Sequence, residues 1–190
     1  MALSLDNIRS LFDEFGDLSY SGEPVTQLEH ALQCGALAEA ESADEALVCA
    51  AFLHDIGHLL NKRSDTPAAA GVDDLHQYYG LPFLRPVMPD AVIEPIRLHV
   101  DAKRCLCAID EAYLGRLSAG SVRSLQRQGG VFSAAEVQAF LQKPFSADAL
   151  RLRRWDDGAK VADCATRPIE HFINIVWRVM DRHTQQALNV

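Results

Sequence analysis

The chain has 190 residues, 48% hydrophobic, 23% charged and 7% aromatic, a composition that fits one globular domain over residues 1–190 and excludes a disordered or collagen-like polymer. Its 18 lysines and arginines face 26 aspartates and glutamates, for a net charge of −8 with no basic block, so nucleic acid is not expected as a partner. Five cysteines without CxxC spacing argue against a disulfide framework or a zinc–thiolate site and point to a reducing cytoplasm, and no apolar run or N-terminal signal pattern suggests a membrane span or export.

The hydrophobic period is helical throughout, which predicts an all-α fold. Leu5, Ile8, Leu11, Phe12 and Phe15 form an amphipathic stripe that ends at Gly16. A second helix opens at Thr26, whose spacing to Glu29 is that of a capping box, and a third opens at Ser42 with Glu45 in the same relation. The third is apolar on nearly every side as far as Leu53, so it should be the buried centre of a bundle. The segment from Asn61 to Gly71 is predicted as a loop. Further helices are predicted over Asp73 to Tyr79, Ala91 to Lys103, Ser118 to Gln128, Ser133 to Gln142 and Asp148 to Arg154, with a last long one from near Pro168. Pro95 should kink or interrupt its helix, and Gly129 and Gly130 should stop theirs.

Seven histidines are present, and four of them, His30, His54, His76 and His99, fall on different predicted helices at intervals of 22 to 24 residues. Antiparallel packing can bring such residues to one level. The pair His54-Asp55 ends the most apolar helix, where an imidazole and a carboxylate are costly to bury unless a cation joins them. Asp55 can bridge two cations, and a mixed nitrogen and carboxylate shell favours a first-row transition metal over calcium. Asp156, after Arg153, Arg154 and Trp155, is the candidate second carboxylate.

His30, an apolar helix ending in His54-Asp55-Ile56-Gly57-His58, single histidines at regular intervals and a distal aspartate together resemble the ligand order of the HD-domain superfamily. Most members of that superfamily are all-helical, metal-dependent phosphohydrolases. This chain is more similar to the minority branch of mixed-valent di-iron oxygenases. The similar residues are Tyr20-Ser21-Gly22-Glu23, Gln27-Leu28-Glu29-His30, the run from His54 to His58, His99 with Lys103-Arg104, Ser121, Gln128-Gly129-Gly130 and Arg153-Arg154-Trp155-Asp156. The resemblance implies an HD-domain helical bundle with two iron ions, Fe(II) and Fe(III), on His30, His54, Asp55, His76, His99 and Asp156. It also implies cleavage of the C–P bond of a 1-hydroxyphosphonate by O2. With a 2-trimethylammonio substituent the products are glycine betaine and phosphate; with a 2-amino group they are glycine and phosphate.

The remaining polar residues suit that chemistry. A phosphonate dianion needs fixed cations, and Lys103 lies one helical turn after His99 while Arg153 lies three residues before Asp156. Ser121 and Gln128 offer neutral hydrogen bonds, and His58 follows His54 by one turn. By resemblance, Tyr20 occupies an iron position until substrate arrives and Glu23 meets the substrate's nitrogen end. Tyr78, Tyr79, Phe83, Tyr113 and Trp155 are available to a quaternary ammonium, with core packing as their alternative role. Two other functions stay open on the sequence: an HD-domain phosphohydrolase acting on a phosphate ester or nucleotide, and a non-catalytic module that keeps a metal for stability.

Overall fold

The computed structural model describes residues 2–20, 22–61 and 75–189. Among them there is no strand, only an isolated bridge between Ser19 and Thr26, so the all-α expectation holds. The expected loop after Asn61 and the start of the helix expected from Asp73 lie outside the described residues.

Helix α1 (Leu5–Phe15) buries Ile8 and Phe12. Helix α2 (Gln27–Ala40) opens with the expected box, Thr26 capping the Glu29 amide and Glu29 returning to the Thr26 amide. Helix α3 (Glu45–Leu53) buries every residue from Leu47 to Leu53 and packs against α2. Its cap is Asp44 rather than the expected Ser42. Ser42 instead adopts a left-handed backbone (φ 53°) that reverses the chain after α2, and its amide bonds the Glu39 carbonyl.

Three short helices follow, α4 (Ile56–Asn61), α5 (His76–Tyr79) and α6 (Leu81–Leu84). Helix α7 (Asp90–Ile109) is longer than predicted and runs through Pro95 without a break. Pro95 lies in the second turn, where its missing N–H forgoes a single bond to the Ala91 carbonyl, and its ring is buried. Helix α8 (Glu111–Arg116) is not predicted by the periodicity.

Helices α9 (Ala119–Arg127) and α10 (Ala134–Leu141) begin on the caps Ser118 and Ser133. Gly129 and Gly130 end α9 at φ 97° and 71°, conformations that glycine takes without strain. Arg104 of α7 donates to both of their carbonyls and stacks over Phe132, which joins two of the segments that carry the family resemblance.

Helix α11 (Ser146–Gly158) extends four residues past the expected Arg154 and therefore carries Asp156 itself. Helix α12 (Ile169–Leu188) closes the bundle over α3. The main core joins α1, α2, α3, α11 and α12 through side chains such as Phe12, Phe52, Leu53, Trp155 and Phe172. Their burial, at about 25 cal/mol per Å² of apolar surface, is what holds the polar ends of α2, α3, α7 and α11 together.

Candidate metal centre

Five helices and one inter-helix turn deliver the candidate ligands. His30 lies in the first turn of α2, His54 caps the C-terminus of α3, and Asp55 follows in the turn to α4. His76 opens α5, His99 lies mid-way along α7, and Asp156 is near the end of α11. His30, His54, His99, Asp55 and Asp156 are all buried.

The hydrogen bonds decide which ring nitrogen faces inward. His30 Nδ1 is 2.8 Å from the Ala159 carbonyl, His54 Nδ1 is 2.8 Å from the Ala51 carbonyl, and His99 Nδ1 is 2.7 Å from the Ile96 carbonyl. A carbonyl only accepts, so each Nδ1 carries the proton and each neutral ring turns an Nε2 lone pair inward. Those lone pairs converge: His30 Nε2 is 3.3 Å from His54 Nε2, and His76 Nε2 is 3.0 Å from His99 Nε2.

Asp55 lies between the two pairs. Its Oδ2 is 3.7 Å from His30 Nε2 and 3.4 Å from His54 Nε2, while Oδ1 is 3.3 Å from His76 Nε2 and 3.7 Å from His99 Nε2. Oδ1 is also buried without a hydrogen-bond partner. Asp156 approaches the first pair, with Oδ1 3.5 Å from His30 Nε2 and Oδ2 3.9 Å from His54 Nε2. Facing lone pairs and an orphaned carboxylate oxygen are unfavourable as they stand, and a cation at each end relieves both. The donor set thus fits two metal ions with Asp55 between them.

The electrostatics agree. Burial pushes the His30 imidazolium down to about 4 and His99 well below the usual range, which leaves both neutral, as ligands must be. Burial opposes charge on His54 as well, but Asp55 outweighs it and lifts His54 to about 9, so without a metal its Nε2 keeps a proton beside Asp55, and a cation binding there displaces that proton. Burial disfavours an ionised Asp55 too, yet His54, His76 and His58 hold its carboxyl well below the ordinary value.

A cluster of charged side chains adjoins Asp156. Arg153 spans two acids, with Nη1 2.7 Å from Asp156 Oδ2, Nε 2.9 Å from Asp157 Oδ2 and Nη2 2.5 Å from Asp157 Oδ1. The Tyr113 hydroxyl also donates to Asp157. Lys103 is buried, its Nζ donating to Ser124 Oγ at 2.7 Å; burial first and the Arg153 charge second lower it to about 7. Ser121 is buried beside Asp157 and 3.5 Å from Arg153.

Tyr20 stacks on His30 with ring centroids 3.8 Å apart, and its hydroxyl donates to Asp156 Oδ1 at 3.4 Å. His58 stacks on His76 and lies 3.9 Å from Asp55 Oδ1. Glu23 accepts from Ser118 Oγ at 2.5 Å. Gln128 caps α9, its Oε1 buried without a hydrogen-bond partner. Of the five aromatics, Tyr113 alone joins the charged cluster around Arg153; Trp155 packs in the main core, Phe83 packs against that core, and Tyr78 and Tyr79 are exposed.

Sequence reasoning missed Asp157, Ser118, Ser124, Lys160 and Cys34. Cys34 lies one turn after His30, with Sγ 3.7 Å from its Nε2, and that i,i+4 spacing is the signal that could have found it. Gly57 has a packing role: a Cβ there would lie 2.1 Å from the His76 carbonyl oxygen, so the glycine admits α5 to the centre.

Residues 28–116 match the HD domain family. The chain is 45% identical over 159 residues to a hydroxymethylphosphonate dioxygenase of Gimesia maris, which covers 82% of this chain and 79% of that protein. It is 38% identical over 176 residues to the glycine-betaine-forming [1-hydroxy-2-(trimethylamino)ethyl]phosphonate dioxygenase of Leisingera caerulea, covering 93% of this chain and 90% of that one.

Proposed function

This chain belongs to the HD-domain hydroxyphosphonate dioxygenases, and within that family we propose that it uses two iron ions, Fe(II) and Fe(III), to cleave the C–P bond of a 1-hydroxyphosphonate. The observation that carries the metal assignment is the convergence of imidazole lone pairs, locked inward by three backbone carbonyls, on a buried carboxylate with an unsatisfied oxygen. His30, His54 and Asp156 would hold one ion, His76 and His99 the other, with Asp55 shared. Redox-active iron at such a centre supplies the reaction of the substrate carbon with O2.

The protein's own groups do the rest. Lys103, Arg153 and Ser121 bind the phosphonate beside Asp156, and Gln128 lies at the end of the same helix as Ser121. Fixing that end orients the C1 hydroxyl and C1–H toward the imidazole cluster. Tyr20, buried on His30, covers the Asp156 side and excludes water until substrate enters. His58 stands next to Asp55 and supports the His76 side. Glu23 would leave Ser118 to meet a substrate cation.

The reaction balances without an added reductant. The substrate loses four electrons to O2 as the C1–H and C–P bonds break, giving a carboxylate, phosphate and a proton. The substrate we favour is (R)-1-hydroxy-2-(trimethylammonio)ethylphosphonate, giving glycine betaine, supported by the relative that spans nearly the whole chain and by the carboxylate of Glu23. Hydroxymethylphosphonate and the 2-amino analogue are the competing substrates. The cytoplasm is the proposed location; no helix among the described residues is long and apolar enough to cross a membrane.

The test is anaerobic loading with Fe(II), limited oxygen and electron paramagnetic resonance, followed by phosphate release from each of the three phosphonates with and without O2. Oxygen-dependent release and a mixed-valent signal are expected. Equal release under nitrogen would replace the oxygenase with a hydrolase.

A further inference from the structure

The anion site beside Asp156 holds one more cation than the sequence reading assigns. Lys160 follows the end of α11, mostly buried, with Nζ 3.0 Å from Ser121 Oγ, 3.1 Å from Asp157 Oδ1 and 3.8 Å from Asp156 Oδ1. Asp156 and Asp157 do not need it, since the guanidinium of Arg153 already pairs with both. Lys103 approaches the same hydroxyls from α7: its Nζ donates to Ser124 Oγ, and that hydroxyl donates to the Ser121 carbonyl at 3.0 Å. Three cations therefore converge on one pair of serines against two carboxylates. With Arg153 already pairing both carboxylates, a bound anion is the partner that lets both lysines carry their charge here.

The segment that carries Lys160 is held in place. Gln33 of α2, buried one turn from His30, donates through Nε2 to the Val161 carbonyl at 2.9 Å and accepts the Val161 amide on Oε1 at 3.1 Å. On the other side, the Ala159 carbonyl accepts from His30 Nδ1. Lys160 thus sits on a short strap clamped at both neighbours, and its ammonium is positioned with little freedom left to lose on binding.

We propose that Lys160 is a third cation of the phosphonate-binding site, contacting the dianion from the side opposite Lys103, with the Gln33 clamp positioning it. The inference rests on the dioxygenase reading for the identity of the anion, but not for its charge. It also makes the strap a shared support, through which the ring of His30 and the anion site are set by the same three residues.

Inorganic phosphate, titrated calorimetrically into the purified protein, is the direct probe. Lys160→Gln keeps a neutral donor for Ser121 and Asp157 and so preserves the local hydrogen bonds, while Lys160→Arg keeps the charge. Loss of one charge-assisted bond predicts roughly 10-fold or greater weakening of phosphate in Lys160→Gln, with recovery to within about 3-fold in Lys160→Arg. KM for the turned-over phosphonate should rise in parallel while kcat changes by less than about 3-fold, the signature of ground-state binding. Wild-type affinity in Lys160→Gln, equal loss in both variants, or no measurable phosphate binding by the wild type would each overturn the proposal. Turnover by the wild type, measured alongside, separates the two claims. Unchanged phosphate affinity in Lys160→Gln with normal turnover sinks the Lys160 site alone. Lost affinity with no turnover on any hydroxyphosphonate sinks the dioxygenase reading and leaves the anion site standing.

Discussion

At the imidazole end of the site, ring orientation is set by main-chain carbonyls and what is left over is a set of lone pairs; around Arg153, orientation is set by side chains and what is left over is positive charge. The two regions meet at Asp156, which faces His30 and His54 on one side and Arg153 on the other. One region therefore calls for cations and its neighbour for an anion. A substrate that carries a phosphonate two bonds from a hydroxyl oxygen can span them, and this arrangement explains why α7 pairs His99 with Lys103 and α11 pairs Asp156 with Arg153.

The comparison predicts that damage to the two regions fails in different ways. The largest effect belongs to Asp55→Ala, which removes the shared carboxylate: bound iron, measured by metal analysis, should be lost, and oxygen-dependent phosphate release should fall by about a thousandfold or more. Full iron content in that variant would break the ligand assignment.

Arg153→Met should act on stability instead, because it removes the guanidinium that pairs both Asp156 and Asp157 and leaves Lys160 as the one cation beside them. A cost of about 3–5 kcal/mol is expected, or about 6–20 °C in Tm by calorimetry. Metal loaded into the folded fraction should still bind, and its absence would show that the two regions are not separable.

A pH series sharpens the contrast further. Burial and Arg153 lower Lys103 to about 7, so between about pH 7 and its ordinary value of 10.5 the unfolded chain binds a proton that the folded protein does not. Stability of the metal-free protein should therefore rise with pH across that window. In Lys103→Met this component should vanish from urea titrations, and a slope equal to that of the wild type would contradict it. The smallest effect is expected from Thr26→Ala, which unpicks the capping box one turn before His30: about 1 kcal/mol, or roughly 2–4 °C in Tm.

The sequence carries the imidazole region more legibly than the anion region, for a physical reason. Histidines and an aspartate at the end of an apolar helix stand out because burial makes them expensive, and the Thr26 box marks the start of the helix that bears His30. Asp157 and Lys160 look like ordinary surface charge in a polar run, and it takes the extension of α11 to turn Asp157 inward and the Gln33 clamp on Val161 to place Lys160. Ser42 was legible as a cap by spacing, but the chain reversal after α2 claimed its backbone and passed the role to Asp44. Helix α8 is too short for periodicity to reveal, although it brings Tyr113 to Asp157. Gly57 was visible in the run from His54 to His58, but its close approach to His76 needed the packed helices to be seen.

Three imidazoles take their aim from the carbonyls of Ala51, Ile96 and Ala159, groups present whatever side chains those positions carry. Their orientation is in that sense immune to point mutation and travels with the path of the backbone. Side chains around Arg153 are then free to diverge without misdirecting the rings.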